Sequence, residues 1–121
     1  MKPKHFLSVT DLSAKQTLQV LQLAQKLKKE LKEKGNYKPY LKNKTLVMIF
    51  EKPSLRTRLS FETGMTQLSG HAIYLGPSDI QMGVRESVAD VAKVASSMGD
   101  LIMARTFKHE TVMELARYSQ V

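Results

Sequence analysis

The chain has 121 residues, no cysteine, no tryptophan and a formal net charge of +8. This length suits one ordinary domain with its own core, and the missing Cys excludes a disulfide framework, a Cys-ligated metal or iron–sulfur site and a cysteine nucleophile. No run approaches a membrane span and the first residues lack the form of a signal peptide, so the sequence reads as a soluble, cytoplasmic domain with no membrane partner.

The positive charge is uneven. Residues 1–44 hold eleven Lys against Asp11, Glu30 and Glu33, whereas residues 45–121 hold eight basic and eight acidic residues. The whole excess therefore sits on an N-terminal segment, and all of it is Lys. Arg is the better fork for phosphate and base edges, so the segment reads as a solvated lysine face and no nucleic-acid partner is expected.

In chain order, Ser13-Ala14-Lys15-Gln16 has the form of a capping box. Leu18, Leu21, Ala24, Leu27 and Leu31 then recur at helical spacing, and their apolar stripe is expected to pack on the sheet or on a partner helix. Gly35 is the expected stop, with Asn36-Tyr37-Lys38-Pro39 as loop. Thr45 to Phe50 is a short apolar run, as expected of a strand covered on both faces. After Pro53 and a polar stretch, Leu59 to Leu68 reads as a helix ended by Ser69-Gly70. His71 to Leu75 is a second strand, and Gly76-Pro77-Ser78-Asp79 opens a polar loop through Gly83 and Arg85. Val88 to Met98 is a helix closed at Gly99, Leu101 to Ala104 a third strand, and Thr111 to Tyr118 a last helix. The alternation argues for an α/β fold, a doubly wound parallel sheet with flanking helices. The seven Met lie mostly in apolar runs and read as core filler.

The stretch that carries chemistry is Phe50-Glu51-Lys52-Pro53-Ser54-Leu55-Arg56-Thr57-Arg58, where a buried strand gives way to a helix. Open parallel sheets bind ligands at the carboxyl ends of their strands. A helix start offers unpaired N–H groups and partial positive charge. With the hydroxyls of Ser54 and Thr57 and the Arg56 guanidinium, such a site suits a phosphate. On the residues alone a second reading stays open, in which Ser54 or Thr57 is a plain N-cap and the arginines are surface charges. No Walker-type glycine loop is present. No His and carboxylate cluster has metal-ligand spacing, so no metal is expected.

This stretch, continued by Leu59-Ser60-Phe61-Glu62, resembles the phosphate motif of the carbamoyltransferases, in its ornithine rather than its aspartate form. His5-Phe6-Leu7-Ser8 with Asp11-Leu12-Ser13 resembles the family's start. Gly70 to Leu75 and Asp79 to Gly83 resemble its second strand and the loop after it, and Ile102 to Phe107 its third strand end. The resemblance implies that Ser54, Leu55 (through its backbone), Arg56 and Thr57 hold the phosphate of carbamoyl phosphate. It implies that Arg105 touches the phosphate and carbamoyl oxygens, so that Arg56 and Arg105 carry the catalytic role. Gln81 would reach into a neighbouring subunit's site, which implies a homo-oligomer built on a trimer. Arg58 is expected to order the loop, His109 could line the site, His71 is expected to be structural and His5 to lie at the surface.

The resemblance covers only the first part of a carbamoyltransferase. The family continues with a His-Pro-x-Gln segment and a second, ornithine-binding domain with a His-Cys-Leu-Pro segment, none of which occurs here. Residues 1–121 are therefore expected to be a carbamoyl-phosphate-binding domain, truncated at its carboxyl end before a fourth strand and inactive by itself. The implied function is that part of an ornithine carbamoyltransferase, in arginine metabolism and amino-acid biosynthesis. The alternatives are a carbamoyltransferase for another amine and a non-catalytic anion-binding or oligomerisation module.

Overall fold

The computed structural model describes residues 4–36 and 38–121, so Tyr37 of the expected loop lies outside the described residues. The chain opens on a single 3-10 turn, Val9–Asp11, boxed at its start by Ser8 and Asp11. The Asp11 carboxylate accepts the Leu7 and Ser8 amides at 2.7 and 3.0 Å.

Helix α1, Ala14–Lys34, starts with the expected reciprocal cap. Gln16 N–H donates to Ser13 Oγ at 3.1 Å, and Ser13 N–H donates to Gln16 Oε1 at 2.9 Å. Gly35 ends the helix at φ 74°, a left-handed position that glycine takes without Cβ strain. The stripe of α1 does not pack on the sheet as expected. None of its residues is buried, and Leu18 and Leu21 are 58% and 56% exposed. The sheet is narrow, and later helices occupy both of its faces.

Strand β1 (Thr45–Phe50) is the centre of a three-stranded sheet, with β2 (His71–Leu75) on one side and β3 (Leu101–Arg105) on the other. Both pairings are parallel. Among the described residues, β2 and β3 each pair along one side only. Residues 46–50 are all buried, as a strand covered on both faces requires. Their alternation divides the core. Val47 and Ile49 pack with Val91 and Ala92 of α4 (Val88–Met98) and Leu115 of α5 (His109–Tyr118). Leu46, Met48 and Phe50 pack with Met65 of α2 (Leu55–Gln67).

Two features depart from the sequence reading. Helix α2 begins at Leu55 rather than Leu59, directly after Pro53-Ser54. Its end agrees with that reading: the helix stops at Gln67, and Ser69 of the expected Ser69-Gly70 stop takes the left-handed region at φ 69°. The expected polar loop after β2 begins as a short helix, α3 (Pro77–Ile80). Pro77 sits where a helix needs no amide donor, Asp79 accepts the Gly76 amide at 2.6 Å, and Ile80 is buried in the core.

Candidate functional site

Parallel pairing brings the carboxyl ends of the strands to one sheet edge. Ile49 pairs with Leu75 and Ala104, and Phe50 pairs with Arg105. The segment after β1 carries Glu51 to Ser54, the segment after β2 carries Gln81, and the segment after β3 begins at Thr106. The sequence-picked residues Ser54, Leu55, Arg56, Thr57, Gln81 and Arg105 therefore belong to elements that start or end at this edge.

Ser54 occupies the N-cap position of α2 with extended backbone, but it makes no capping bond to an amide. Its Oγ instead donates to Thr57 Oγ1 at 2.9 Å. Thr57 lies within the first turn of the helix. Ser54 is thus the N-cap by position but caps no amide, Thr57 is not the N-cap, and the first-turn amides have no side-chain acceptor among the described residues. These are the groups that give a helix start its affinity for anions. Arg56 is exposed in the same turn and makes no ion pair with a described residue.

Arg58 points its chemistry elsewhere. Its Nε donates to Glu62 Oε2 at 2.8 Å, and its guanidinium lies 3.7 Å from the centre of the Tyr74 ring. That ring in turn meets Phe50 at 5.1 Å. Arg58 thus fastens the first turn of α2 to β2, in line with the ordering role expected of it. Tyr74 was not singled out from the sequence. The period of two along β2 places it on the α2 face and was the available signal.

Arg105 is the last residue of β3. Met103 packs on the α2 face and Ala104 on the opposite one, so alternation returns Arg105 to the α2 face, beside Phe50. Its Nε is buried without a hydrogen-bond partner among the described residues. A buried unpaired donor is unfavourable by about 1–3 kcal/mol and calls for an explanation. A bound anion would supply one.

Gln81 follows α3 at φ 53° and is exposed. It lines a shallow cleft of about 80 Å³ together with Glu51, Gly76, Pro77 and Met82. The three histidines are scattered. His71 starts β2, at the opposite end of the sheet, where its amide donates to Lys44 O at 2.9 Å. His109 starts α5 close enough to Asp11 to help lower its pKa, after the Leu7 and Ser8 amides. Among the described residues no three His, Asp or Glu side chains gather to hold a metal, and no helix is long and apolar enough to cross a membrane.

Residues 4–121 match the model of the aspartate/ornithine carbamoyltransferase carbamoyl-P binding domain. The chain belongs to this family. It is 52% identical over 117 residues to an ornithine carbamoyltransferase of Campylobacter curvus, covering 97% of this chain and 38% of that protein. It is also 52% identical over 120 residues to a putrescine carbamoyltransferase of Mycoplasma capricolum, covering 99% of this chain and 33% of the relative. The crystal structure of anabolic ornithine carbamoyltransferase from Campylobacter jejuni superposes with a TM-score of 0.90 at 44% identity, over 98% of this chain and 38% of that one. The α/β fold is that of these carbamoyltransferases, and the chain spans 33–38% of the length of these relatives.

Proposed function

We propose that this carbamoyltransferase-family domain holds carbamoyl phosphate for transfer to ornithine, giving citrulline and phosphate. The observation that carries the reading is the pairing of donors at one sheet edge. Among the described residues the first turn of α2 has no side-chain cap, and Arg105 Nε is buried without a partner. In this reading Ser54, the Leu55 amide, Arg56 and Thr57 bind the phosphate. Arg105 bridges the phosphate and carbamoyl oxygens. The amine nitrogen attacks the carbamoyl carbon, the carbon–oxygen bond to phosphate breaks, and a proton leaves the amine. The domain's contribution is orientation and stabilisation of the oxygens that gain charge, with no cofactor.

The reading extends to assembly. Gln81 serves a neighbouring subunit's site in a closed ring, most simply a trimer. An exposed apolar groove of about 220 Å³ between β2 and α4, lined by Ile73, Val94 and Met98, supports a subunit contact. Acceptor binding belongs to a second domain, so residues 1–121 by themselves turn over no substrate. The setting is cytoplasmic arginine metabolism.

A second reading changes only the acceptor, and the equal identity to a putrescine enzyme favours keeping it. Calorimetric titration of this chain with carbamoyl phosphate tests the shared part. Micromolar to millimolar binding that inorganic phosphate competes away is expected, and no binding would refute it. A carbamoylation assay of the intact protein with ornithine and with putrescine separates the two acceptors.

A further inference from the structure

We infer that Glu51 is a positioning residue, which ties the two anion-facing segments together and keeps the Arg105 guanidinium open. The inference rests on the carbamoyl-phosphate reading of the site. Glu51 is the first residue past β1. Its amide donates to Arg105 O at 2.9 Å, so the chain leaves the strand still in register with β3. Its side chain makes a second crossing, with Oε1 accepting the Phe107 amide at 3.2 Å. One residue therefore grips the turn after β3 on both sides of Thr106.

Little else fixes that turn. Phe107 is 68% exposed, and its ring contact is the Lys52 ammonium at 5.5 Å. Thr106 Oγ1 donates within the turn, to Lys108 O at 2.8 Å. Without the Glu51 side-chain bond, the segment after Arg105 keeps the exposed Lys52–Phe107 contact to the segment before α2 and loses its hydrogen bond there. Orientation of binding groups is sensitive to displacements of this kind.

The bond has an electrostatic consequence as well. A carboxylate beside the end of the neighbouring strand is a natural ion-pair partner for Arg105. No ion pair joins the two among the described residues. The Glu51 carboxylate is engaged by the Phe107 amide, and Arg105 Nε stays unpartnered. The acidic residue thus shapes the anion site without neutralising it.

Reach and charge are separable by substitution. Gln keeps the length and the carbonyl acceptor and drops the charge. Asp keeps the charge and shortens the reach by one methylene, and Ala removes both. Titration of the protein with inorganic phosphate should give about tenfold weaker binding for Glu51→Ala and Glu51→Asp, as expected for loss of one charge-assisted bond. Glu51→Gln should stay within about threefold of wild type, since a neutral acceptor retains much of such a bond. Amide exchange at Phe107, read without phosphate, should speed up in Asp and Ala and not in Gln. Should Glu51→Ala fail to fold, the order of Gln and Asp decides. Equal affinity in wild type and Glu51→Asp, or binding more than about threefold tighter in Glu51→Gln, would overturn the inference while leaving the anion site standing. Absence of phosphate and carbamoyl phosphate binding by wild type would overturn the site reading, and the inference with it.

Discussion

Replacing Arg105 with Met should move stability and ligand affinity in opposite directions. Met keeps an unbranched stem of similar reach and removes the guanidinium. Among the described residues Arg105 Nε has no partner and is buried, while the residue as a whole is half-buried. An unpaired buried donor is unfavourable by about 1–3 kcal/mol, and the partial exposure places this one near the lower end. Arg105→Met should therefore stabilise the ligand-free protein by up to about 1 kcal/mol, a rise of roughly 4 °C in Tm for a domain near this size. Phosphate at a hundredfold its Kd stabilises wild type by about 2.7 kcal/mol. Loss of one charge-assisted contact weakens binding roughly tenfold to a hundredfold. At the same phosphate concentration the variant then gains only about 0.4–1.4 kcal/mol. The melting curves should cross, with the variant higher without phosphate and lower with it. Thermal denaturation at several phosphate concentrations reads both effects. A variant that melts lower without phosphate, and shows the full phosphate-induced rise, would refute the argument.

Arg56→Ala should weaken phosphate binding about tenfold to a hundredfold, whereas Lys32→Ala, on the exposed face of α1, should leave the calorimetric affinity unchanged. Gly99→Ala should destabilise the domain by about 1–3 kcal/mol in urea, because a Cβ there would stand 2.8 Å from Val47 Cγ2 and 3.2 Å from Ala95 O. An unmoved midpoint would show that the αβ turn yields freely. The Leu7 and Ser8 amides hold the Asp11 carboxyl below its ordinary value of 3.8. The folded pKa lies under the unfolded one, so the contribution of this turn is present above the unfolded value and fades as pH falls through the folded one. The amide shifts of Leu7 and Ser8 should titrate below 3.8, and a midpoint at or above that value would contradict the two bonds.

Where the fold was legible, short-range physics decides it. An unbroken apolar run at residues 45–50 needs cover on both faces, and it sits at the centre of the sheet. Ser13 and Gln16 cap α1 because their spacing alone makes the reciprocal bond. The start of α2 was read four residues late, because Leu55 to Arg58 shows no apolar period. Pro53 and an extended Ser54 set that start instead. A one-turn helix such as α3 is too short for any period to appear. The stripe of α1 marks an apolar side, yet periodicity cannot say what covers it. The motif residues of the site were legible as a contiguous string, and the links that hold them were not. Arg58 reaches Tyr74 across two elements, and Glu51 meets Phe107 through a register that only strand pairing creates.

The chemistry divides along the same line. The donors proposed to hold the anion come from consecutive residues at the start of α2 and from one residue delivered by β3. Both flank β1, the most completely buried strand, so their spacing is set where the packing is tightest. In the proposed function, binding of a phosphate group needs only this local frame. Transfer needs an amine aligned with the carbamoyl carbon, and alignment of that kind accounts for about 7–11 kcal/mol of a barrier. On that reading, a frame that fixes carbamoyl phosphate and leaves the amine free in solution forgoes that contribution. Affinity for the phosphate group and competence for transfer are therefore separable properties of the fold, and substitutions at Arg56, Arg105 and Glu51 act first on affinity.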